Sequence, residues 1–233
     1  MNGTKLRRLL GLVWKQRRCN ICGWRGFRFE PFGNQSTFRK DASCPICGSL
    51  ERHRAVRLML GEKIPPGQKV LHFAPEALMV QWLVAKSCEY LNVDLYNPAM
   101  KKMDITNIEL PNESRTLVWC SHVLEHIPDD RKALQEIHRV LTPGGMLVLQ
   151  VPIQGEVTYE NPEVQTEADR LHHFLQEDHV RLYGRDLKQR IEQCGFSCEL
   201  LSTTNLPTDQ QVLHSINSPL YNDIFVCRKP AKV

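Results

Sequence analysis

The chain has 233 residues, of which 42% are hydrophobic, enough for one packed domain of ordinary size with a small appendage. This excludes a disordered chain, and apolar runs such as residues 146–151 fall far short of the ~20 residues that cross a bilayer. The formal net charge of +4 is unevenly spread, because residues 1–60 carry +10 and the remainder carries −6, so a basic module precedes a mildly acidic one.

A short amphipathic helix is predicted at the basic N-terminus, where apolar residues recur at helical spacing: Leu6, Leu9, Leu10, Val13 and Trp14. The apolar stretch at 9–14 is too short for the core of a secretory signal, and no small-residue cleavage site follows it. A mitochondrial presequence is the alternative interpretation of this segment.

Two cysteine pairs follow, Cys19 with Cys22 and Cys44 with Cys47, each with two intervening residues and a glycine directly after. Zinc binds four thiolates at ~2.3 Å, and this spacing lets both sulfurs of a pair turn toward one ion. The pattern predicts a structural four-cysteine zinc ribbon without an open coordination position. Two disulfides or two redox-active pairs are the alternative, but an odd total of nine cysteines favours a reducing, cytoplasmic compartment.

The same module interleaves arginine and lysine with aromatic residues, which include Trp24, Phe27, Phe29, Phe32 and Phe38. Such a surface could bind the phosphates and stacked bases of RNA. Alternatively, the aromatic residues form the core of a tiny metal domain and the charges stay in water.

From residue 68 onward, short apolar runs alternate with helical patterns, which predicts an α/β fold with a mainly parallel sheet and crossover helices. Seven strands are predicted, near residues 69–73, 89–93, 100–103, 115–120, 145–151, 197–202 and 221–228. The sequence Pro65-Pro66-Gly67 predicts a linker, so that residues 1–64 form the basic zinc module and residues 65–233 form the sheet domain.

Two helices of the sheet domain have clear ends. One is predicted to begin at the cap formed by Asp129 and Asp130 and to stop before the turn at 142–145. The other places Leu187 and Ile191 on one face, and Gly195 stands where a C-terminal cap is expected.

Ligands of open α/β sheets bind at the carboxyl ends of the strands, so the polar residues after each predicted strand are candidate binding residues. Asp94 ends the second strand, twenty residues after Ala74, the usual distance for a carboxylate that binds ribose hydroxyls. Asp104 follows the third strand, and Ser121 with His122 follows the fourth. The pattern predicts a nucleoside-containing ligand, with helix caps or loop residues as the alternative.

The sequence WCSHVLEHIPDDRKALQEIHRVLTPGGMLVLQVPI, which starts at Trp119, resembles the fourth and fifth strands of class I S-adenosylmethionine-dependent methyltransferases of the type 11-like group. The resemblance covers roughly residues 68–228. It implies a Rossmann-like seven-stranded sheet with helices on both faces, S-adenosyl-L-methionine as the cofactor, and methyl transfer as the activity.

The resemblance implies cofactor contacts from one group of residues: His72, Ala74, Glu76, Asp94, Asp104, Ile105, Ser121 and His122. Within this group, Asp94 would bind the ribose, Asp104 with Ile105 would contact the adenine, and Ser121 with His122 would line the methionine part.

The turn at residues 72–76 departs from the family pattern, because His-Phe-Ala-Pro-Glu stands where Asp-x-Gly-x-Gly is usual. Alanine is tolerated there if the ligand carries no pyrophosphate, and Glu76 would attract a sulfonium but repel a dinucleotide. The turn therefore argues against NAD. The alternative is a degenerate turn in a domain that binds no ligand.

Methyl transfer chiefly requires that the nucleophile be held in line with the bond from sulfur to the methyl carbon. A hydroxyl acceptor also needs a base, and histidine is the natural type. His173 and His179 lie in HHFLQEDHVRLYG, which resembles the substrate-side segment after strand five in zinc-containing members of the superfamily. These two residues, and then His126, are the predicted catalytic residues.

The expected acceptor is an oxygen or nitrogen of a small molecule or glycan. RNA gripped by the basic module is the alternative substrate, and a non-catalytic binding module is the alternative function. No sequence feature determines the acceptor or the oligomeric state.

Overall fold

The structure, a computed structural model, describes residues 16–34, 37–218 and 223–231. The helix predicted over residues 6–14 lies outside these ranges. The described residues form two compact units, one holding those up to Gly61 together with Thr203–Ser218, the other holding Glu62–Ser202 with the residues from 223 onward. The segment Thr203–Ser218 thus belongs to the first unit, although the sequence analysis places it in the range 65–233.

The strands, in chain order, are β1 (Arg17–Arg18), β2 (Arg25–Gly26), β3 (Glu30–Phe32), β4 (Arg39–Ser43), β5 (Gln68–Phe73), β6 (Ser87–Asp94), β7 (Lys101–Lys102), β8 (Arg115–Ser121), β9 (Leu141–Gln150), β10 (Ser197–Ser202) and β11 (Asp223–Arg228). The α-helices are α1 (Glu51–Leu60), α2 (Ala77–Lys86), α3 (Asp130–Val140), α4 (Glu167–Phe174), α5 (Leu187–Gln193) and α6 (Thr208–His214). Short 3₁₀ turns cover Leu124–His126 and Thr203–Asn205.

The first unit has a small core around its cysteines. Two antiparallel ribbons, β1 with β2 and β3 with β4, accompany helices α1 and α6. Phe29 is fully buried beside Cys19 and Cys44, and Trp24 packs against them. The alternative that aromatic residues build this core therefore holds for Trp24 and Phe29.

The second unit contains a seven-stranded sheet in the order β10-β11-β9-β8-β5-β6-β7. Strand β11 runs antiparallel to its two neighbours, β9 and β10. All the other neighbouring pairs in this sheet are parallel. The predicted Rossmann-like, mainly parallel sheet is confirmed. Strand β9 begins at Leu141, earlier than the predicted residue 145, because Leu141 already pairs with Arg115 of β8.

Helices cover both faces of this sheet. On one face, residues such as Leu134 of α3 and Ile191 of α5 pack with Val118 of β8 in the main core. On the other face, Trp82 of α2 meets Trp119 of β8 edge to face, with ring centroids 5.6 Å apart. These two layers leave the carboxyl ends of the parallel strands as the edge where ligands of such folds bind.

The predicted helix ends agree with the structure. Asp129 caps α3, because its Oδ1 accepts a hydrogen bond from the N–H of Lys132 at 2.9 Å. Gly195 follows α5 with φ of +94°, the left-handed conformation that glycine adopts at no steric cost.

Candidate active site

The carboxyl ends of three adjacent strands bring together most of the predicted cofactor residues. Strand β5 lies between β8 and β6, so Ser121, Ala74 and Asp94 follow or end neighbouring strands at one edge of the sheet. The N–H of Ala74 donates to the oxygen of Val93 at 3.0 Å, which ties the turn after β5 to the end of β6. The sheet topology therefore assembles this edge from positions that are distant in the sequence.

Ala74 has φ of +47°, in the left-handed region that favours glycine. The alanine therefore holds a conformation that glycine adopts without strain, at a cost of ~1–2 kcal/mol. Glu76 is the N-cap residue of α2, and its backbone oxygen accepts from the N–H groups of Met79 and Val80. The turn is thus a strand-to-helix connection of the expected kind.

Asp94 organises the loop after β6 with one of its carboxylate oxygens. Its Oδ1 accepts from the N–H of Tyr96 at 2.8 Å and of Asn97 at 2.7 Å. Burial acts to raise the pKa of this carboxyl, but these hydrogen bonds hold it below its usual value. Among the described residues, Oδ2 receives only a 3.3 Å hydrogen bond from Asn97. An ionised carboxylate with one lightly bonded oxygen is suited to accept ribose hydroxyls.

Asp104 and Ile105 follow β7 in a tight turn. Oδ1 of Asp104 accepts from the N–H and the hydroxyl of Thr106, both at 2.8 Å. The side chain of Ile105 is buried in the main core. A contact from Ile105 to a ligand would therefore come from its backbone.

His72 lies inside the sheet rather than at its edge. The imidazole is completely buried, with Nδ1 2.9 Å from the hydroxyl of Tyr90 and its ring edge to face with Trp119. Burial lowers the pKa of His72 to about 4, so the ring is neutral at physiological pH. This placement favours a core role for the side chain over the predicted contact with a cofactor.

Ser121 and His122 turn the chain after β8. The hydroxyl of Ser121 is buried and finds no hydrogen-bond partner among the described residues. His122 has φ of +55°, its N–H donates to the oxygen of Gln150 at 2.9 Å, and its Nδ1 lies 3.1 Å from Oε1 of Glu125. A buried hydroxyl without a protein partner at this edge is available for a polar ligand.

Two of the three predicted catalytic histidines lie together. The rings of His126 and His179 meet edge to face with centroids 4.7 Å apart, and Glu125 joins them, with ligand atoms of all three within 4.8 Å. Burial acts to raise the pKa of Glu125, but the hydrogen bond and charge of His122 hold it below its usual value. Burial lowers the pKa of His179. The sequence pattern did not reveal that Glu125 lies beside these two imidazoles.

The third predicted catalytic residue, His173, has other neighbours. Its Nδ1 lies 2.9 Å from the hydroxyl of Tyr159, and its ring contacts those of His172 and Phe174. The structure therefore pairs His126 with His179 and leaves His173 with the residues of α4 and Tyr159.

Part of the segment after α4 has a structural role that the sequence did not reveal. The buried guanidinium of Arg181 donates to the backbone oxygens of three residues after β8: Leu124 at 3.2 Å, Ile127, and Pro128 at 2.8 Å. The hydroxyl of Tyr183 donates to Oδ2 of Asp130 at 2.7 Å. Arg181 and Tyr183 therefore hold the Leu-Glu-His turn in place, and His179 is presented to it from the same segment.

The four cysteines of the two pairs converge in the first unit, with their sulfurs within 4.8 Å of one another. The sulfurs of Cys19 and Cys47 are 3.7 Å apart, and those of Cys22 and Cys44 are 3.6 Å apart. Tetrahedral zinc with bonds of ~2.3 Å places its thiolates ~3.8 Å apart, whereas a disulfide needs ~2.05 Å. The spacing fits a zinc ion, and all nine cysteines, which the structure describes, are free thiols.

The backbone around these cysteines also matches a metal knuckle. Gly23 and Gly48 have φ of +80° and +69°, and their N–H groups donate to the oxygens of Cys19 and Cys44. Burial acts to raise the pKa of Cys19, but hydrogen bonds from Ser49 and from nearby backbone N–H groups lower it to about 7. Burial raises the pKa of Cys22 to about 12 and also raises that of Cys44, so without a metal only Cys19 among these three has a thiolate accessible near neutral pH.

The family of methyltransferase domains matches residues 70–149, the stretch that runs from β5 through β9. This chain contains a methyltransferase domain over these residues. The demethylmenaquinone methyltransferase of Chlamydia caviae is 31% identical to it over 106 residues, which are 46% of this chain and 42% of the relative. The chain therefore spans less than half the length of that curated relative.

Solved structures share the fold of this methyltransferase domain. An S-adenosylmethionine-dependent methyltransferase from Mesorhizobium loti is 19% identical with a TM-score of 0.53, over 75% of this chain and 97% of that one. The 1,6-didemethyltoxoflavin-N1-methyltransferase of Burkholderia thailandensis, solved with 1,6-didemethyltoxoflavin and S-adenosylhomocysteine, is 13% identical with a TM-score of 0.54, over 77% of this chain and 78% of that one.

None of the helices in the described residues has the length and apolar character that a membrane crossing requires.

Proposed function

We propose that this protein transfers a methyl group from S-adenosylmethionine to an oxygen or nitrogen of a small molecule or glycan. The observation that carries the proposal is the edge where Ala74, Asp94 and Ser121 follow or end three adjacent parallel strands. The left-handed turn, the carboxylate with a lowered pKa and the buried hydroxyl, which has no partner among the described residues, support a site for an adenosyl group with a methionine tail.

Each residue at this edge has an expected task. Asp94 would accept the ribose hydroxyls through Oδ2, and Asp104 would accept from the adenine amine. Ser121 and His122 would line the methionine part, and Glu76 would attract its ammonium group. The cofactor supplies a methyl carbon already activated by the sulfonium, so the chain's main task is to orient the acceptor and exclude water.

His126 and His179 are the leading candidates for a catalytic imidazole, since His126 lies in the short turn after β8 and the ring of His179 contacts it. A hydroxyl acceptor would need such a group to remove its proton. His173 stays a candidate through the substrate-side segment, with the hydroxyl of Tyr159 bound to its ring.

Calorimetry and a transfer assay test the proposal together. Asp94→Asn should weaken the binding of S-adenosylmethionine and S-adenosylhomocysteine at least tenfold, whereas the exposed Asp209→Asn in α6 should leave it unchanged. Methyl-labelled cofactor incubated with cell extract should label the small-molecule or glycan fraction. If wild-type protein shows no heat with either ligand, the non-catalytic binding module is the correct alternative.

We also propose a structural zinc ion held by Cys19, Cys22, Cys44 and Cys47, supported by sulfur separations that match tetrahedral thiolate coordination. The four thiolates complete the coordination of the metal, which supplies folding free energy rather than catalysis. All nine cysteines are free thiols, and this supports a cytoplasmic location.

RNA is a second candidate acceptor because the first unit exposes aromatic rings. Phe27, Phe32 and Phe38 are 76%, 47% and 55% exposed, among exposed basic residues that include Arg28 and Lys40. Exposed rings between cations can stack with bases while the cations contact phosphates.

Anisotropy with a single-stranded oligonucleotide distinguishes this candidate. RNA binding should fall steeply between low and physiological salt, and Phe27→Ala should weaken it by ~1–3 kcal/mol, the contribution of one stacked base. Ile46→Ala, which removes an exposed but non-aromatic side chain from the same unit, is the matched control. Affinity that is absent at low salt leaves the small molecule or glycan as the acceptor.

A further inference from the structure

Glu125, His126 and His179 form a cluster that the binding of S-adenosylmethionine does not explain. Each offers one possible ligand atom, and these atoms lie within 4.8 Å of one another. Glu125 and His179 are almost completely buried, at 1% and 2% exposure, while the side chain of His126 is 31% exposed. The cluster therefore has two enclosed groups and one that opens toward solvent.

Both enclosed groups have a buried atom that the described residues leave unused. Oε2 of Glu125 and Nε2 of His179 are buried and have no hydrogen-bond partner in the part of the chain that the structure describes. Leaving such atoms unsatisfied costs ~1–3 kcal/mol each, and more for a charged group. Two acceptors unsatisfied among the described residues, on side chains that each bring a ligand atom within 4.8 Å of the other, indicate a place for a cation or a hydrogen-bond donor.

The other atoms of the three side chains are already held from outside. Nδ1 of His179 lies 3.1 Å from the backbone oxygen of Phe174, which can only accept, so Nδ1 carries the proton and Nε2 presents its lone pair. Oδ2 of Asp178 lies 3.1 Å from Nδ1 of His126, and Oε1 of Glu125 lies 3.1 Å from Nδ1 of His122. Metal-binding histidines are oriented in this way, by a carbonyl or carboxylate on the far nitrogen.

We propose that Glu125, His126 and His179 bind a divalent transition-metal ion, distinct from the zinc of the four cysteines. Two imidazoles and one carboxylate suit zinc, manganese or iron, whereas four thiolates favour zinc. Ligand atoms of such an ion lie ~3.3–3.5 Å apart when its bonds are ~2.0–2.2 Å long. His126, the most exposed of the three ligands, is the one that would shift to close the remaining gap.

The proposed metal site also predicts the chemical class of the acceptor, and this prediction rests on the proposed methyltransferase function. Three protein ligands leave at least one coordination position open, and a metal ion there would bind and acidify an acceptor hydroxyl. The hydroxyl proton leaves to solvent, the bond from oxygen to the methyl carbon forms, and the bond from sulfur to that carbon breaks. The acceptor class is then a hydroxyl compound rather than an amine.

Metal titration of the full-length protein tests the site without any assay of methyl transfer. Metal-free protein is titrated with zinc against a chromophoric chelator, and separately with manganese after one equivalent of zinc has been added. Wild-type protein should bind one more metal ion per chain than His126→Gln or Glu125→Gln in at least one of the two titrations. His172→Gln, which removes an exposed imidazole from α4, should behave as wild type.

Asp178→Asn provides a second test if Glu125→Gln fails to fold. Asp178 is 69% exposed and the substitution is isosteric, so this variant should fold. This variant should lower the affinity for the metal ion by ~10–100-fold, the usual effect of removing a group that orients a ligating histidine.

The outcomes separate this proposal from the proposed function. Equal metal content in wild type, His126→Gln and Glu125→Gln, with both metals, overturns the metal site even if methyl transfer is found. A metal ion lost in these variants, in a protein that binds no S-adenosylmethionine, supports the site and contradicts the methyltransferase function.

Discussion

Nε of Arg54 donates a hydrogen bond to the backbone oxygen of His214 at 2.7 Å, across 160 positions of the sequence. The guanidinium is fully buried, lies over the ring of Phe29 at 3.9 Å, and also donates to the oxygens of Ala42, Ser49 and Ser215. One side chain thus satisfies carbonyls of the cysteine module and of the segment Thr203–Ser218. This network explains why that segment belongs to the first unit.

Arg54→Lys should destabilise the first unit by ~3–5 kcal/mol, because an ammonium cannot reach all these carbonyls and some stay buried without donors. Hydrogen exchange should accelerate in residues 39–60 and 203–218. Arg28→Lys, at an exposed position of the same unit, is the control and should leave exchange unchanged. Unaltered protection in Arg54→Lys would show that the network contributes little.

Ala74→Gly should stabilise the protein by ~0.5–1 kcal/mol. Glycine removes the ~1–2 kcal/mol cost of φ at +47°, and the greater freedom of the unfolded chain offsets part of the gain. Ala77→Gly, at the start of α2, should destabilise by about the same amount. Denaturant midpoints of both variants check this, and a destabilised Ala74→Gly would indicate that the alanine methyl group makes a contact worth more than the strain.

Stability should fall as the pH drops from about 6.5 to about 4 because of His72. Burial lowers the pKa of His72 from 6.5 to about 4, so in this window the unfolded state binds a proton that the folded state excludes. The effect of His72 makes the free energy of unfolding higher above pH 6.5 than below pH 4, by roughly 3 kcal/mol at most.

His72→Leu should therefore flatten this part of the profile of unfolding free energy against pH, while His172→Leu should keep it. Identical slopes for His72→Leu and the wild type would assign the acid sensitivity to other groups.

Cys22→Ser should remove one zinc ion per chain and destabilise the first unit, since three thiolates hold the ion less tightly. Cys88→Ser, also at an exposed cysteine but in the sheet domain, should change neither zinc content nor stability. Elemental analysis and thermal unfolding provide the two measurements. Zinc content unchanged in Cys22→Ser would contradict the four-cysteine site.

Features that depend on local spacing could be predicted from the amino-acid sequence. The two cysteine pairs with their glycines, the strands of the sheet and the cap at Asp129 were predictable because backbone periodicity and short gaps specify them. The positions of Asp94 and Ser121 at one edge followed as well, since parallel strands end on the same side.

Contacts between distant segments became visible only in the folded chain. It placed His72 inside the sheet, joined Thr203–Ser218 to Arg54, and brought His179 against Glu125 and His126. These outcomes depend on which groups lose water together when the chain packs, and desolvation of one residue by another far along the sequence leaves no local pattern. For the same reason, no local pattern distinguished His72, which is a core residue, from His126 and His179, which are candidate metal ligands.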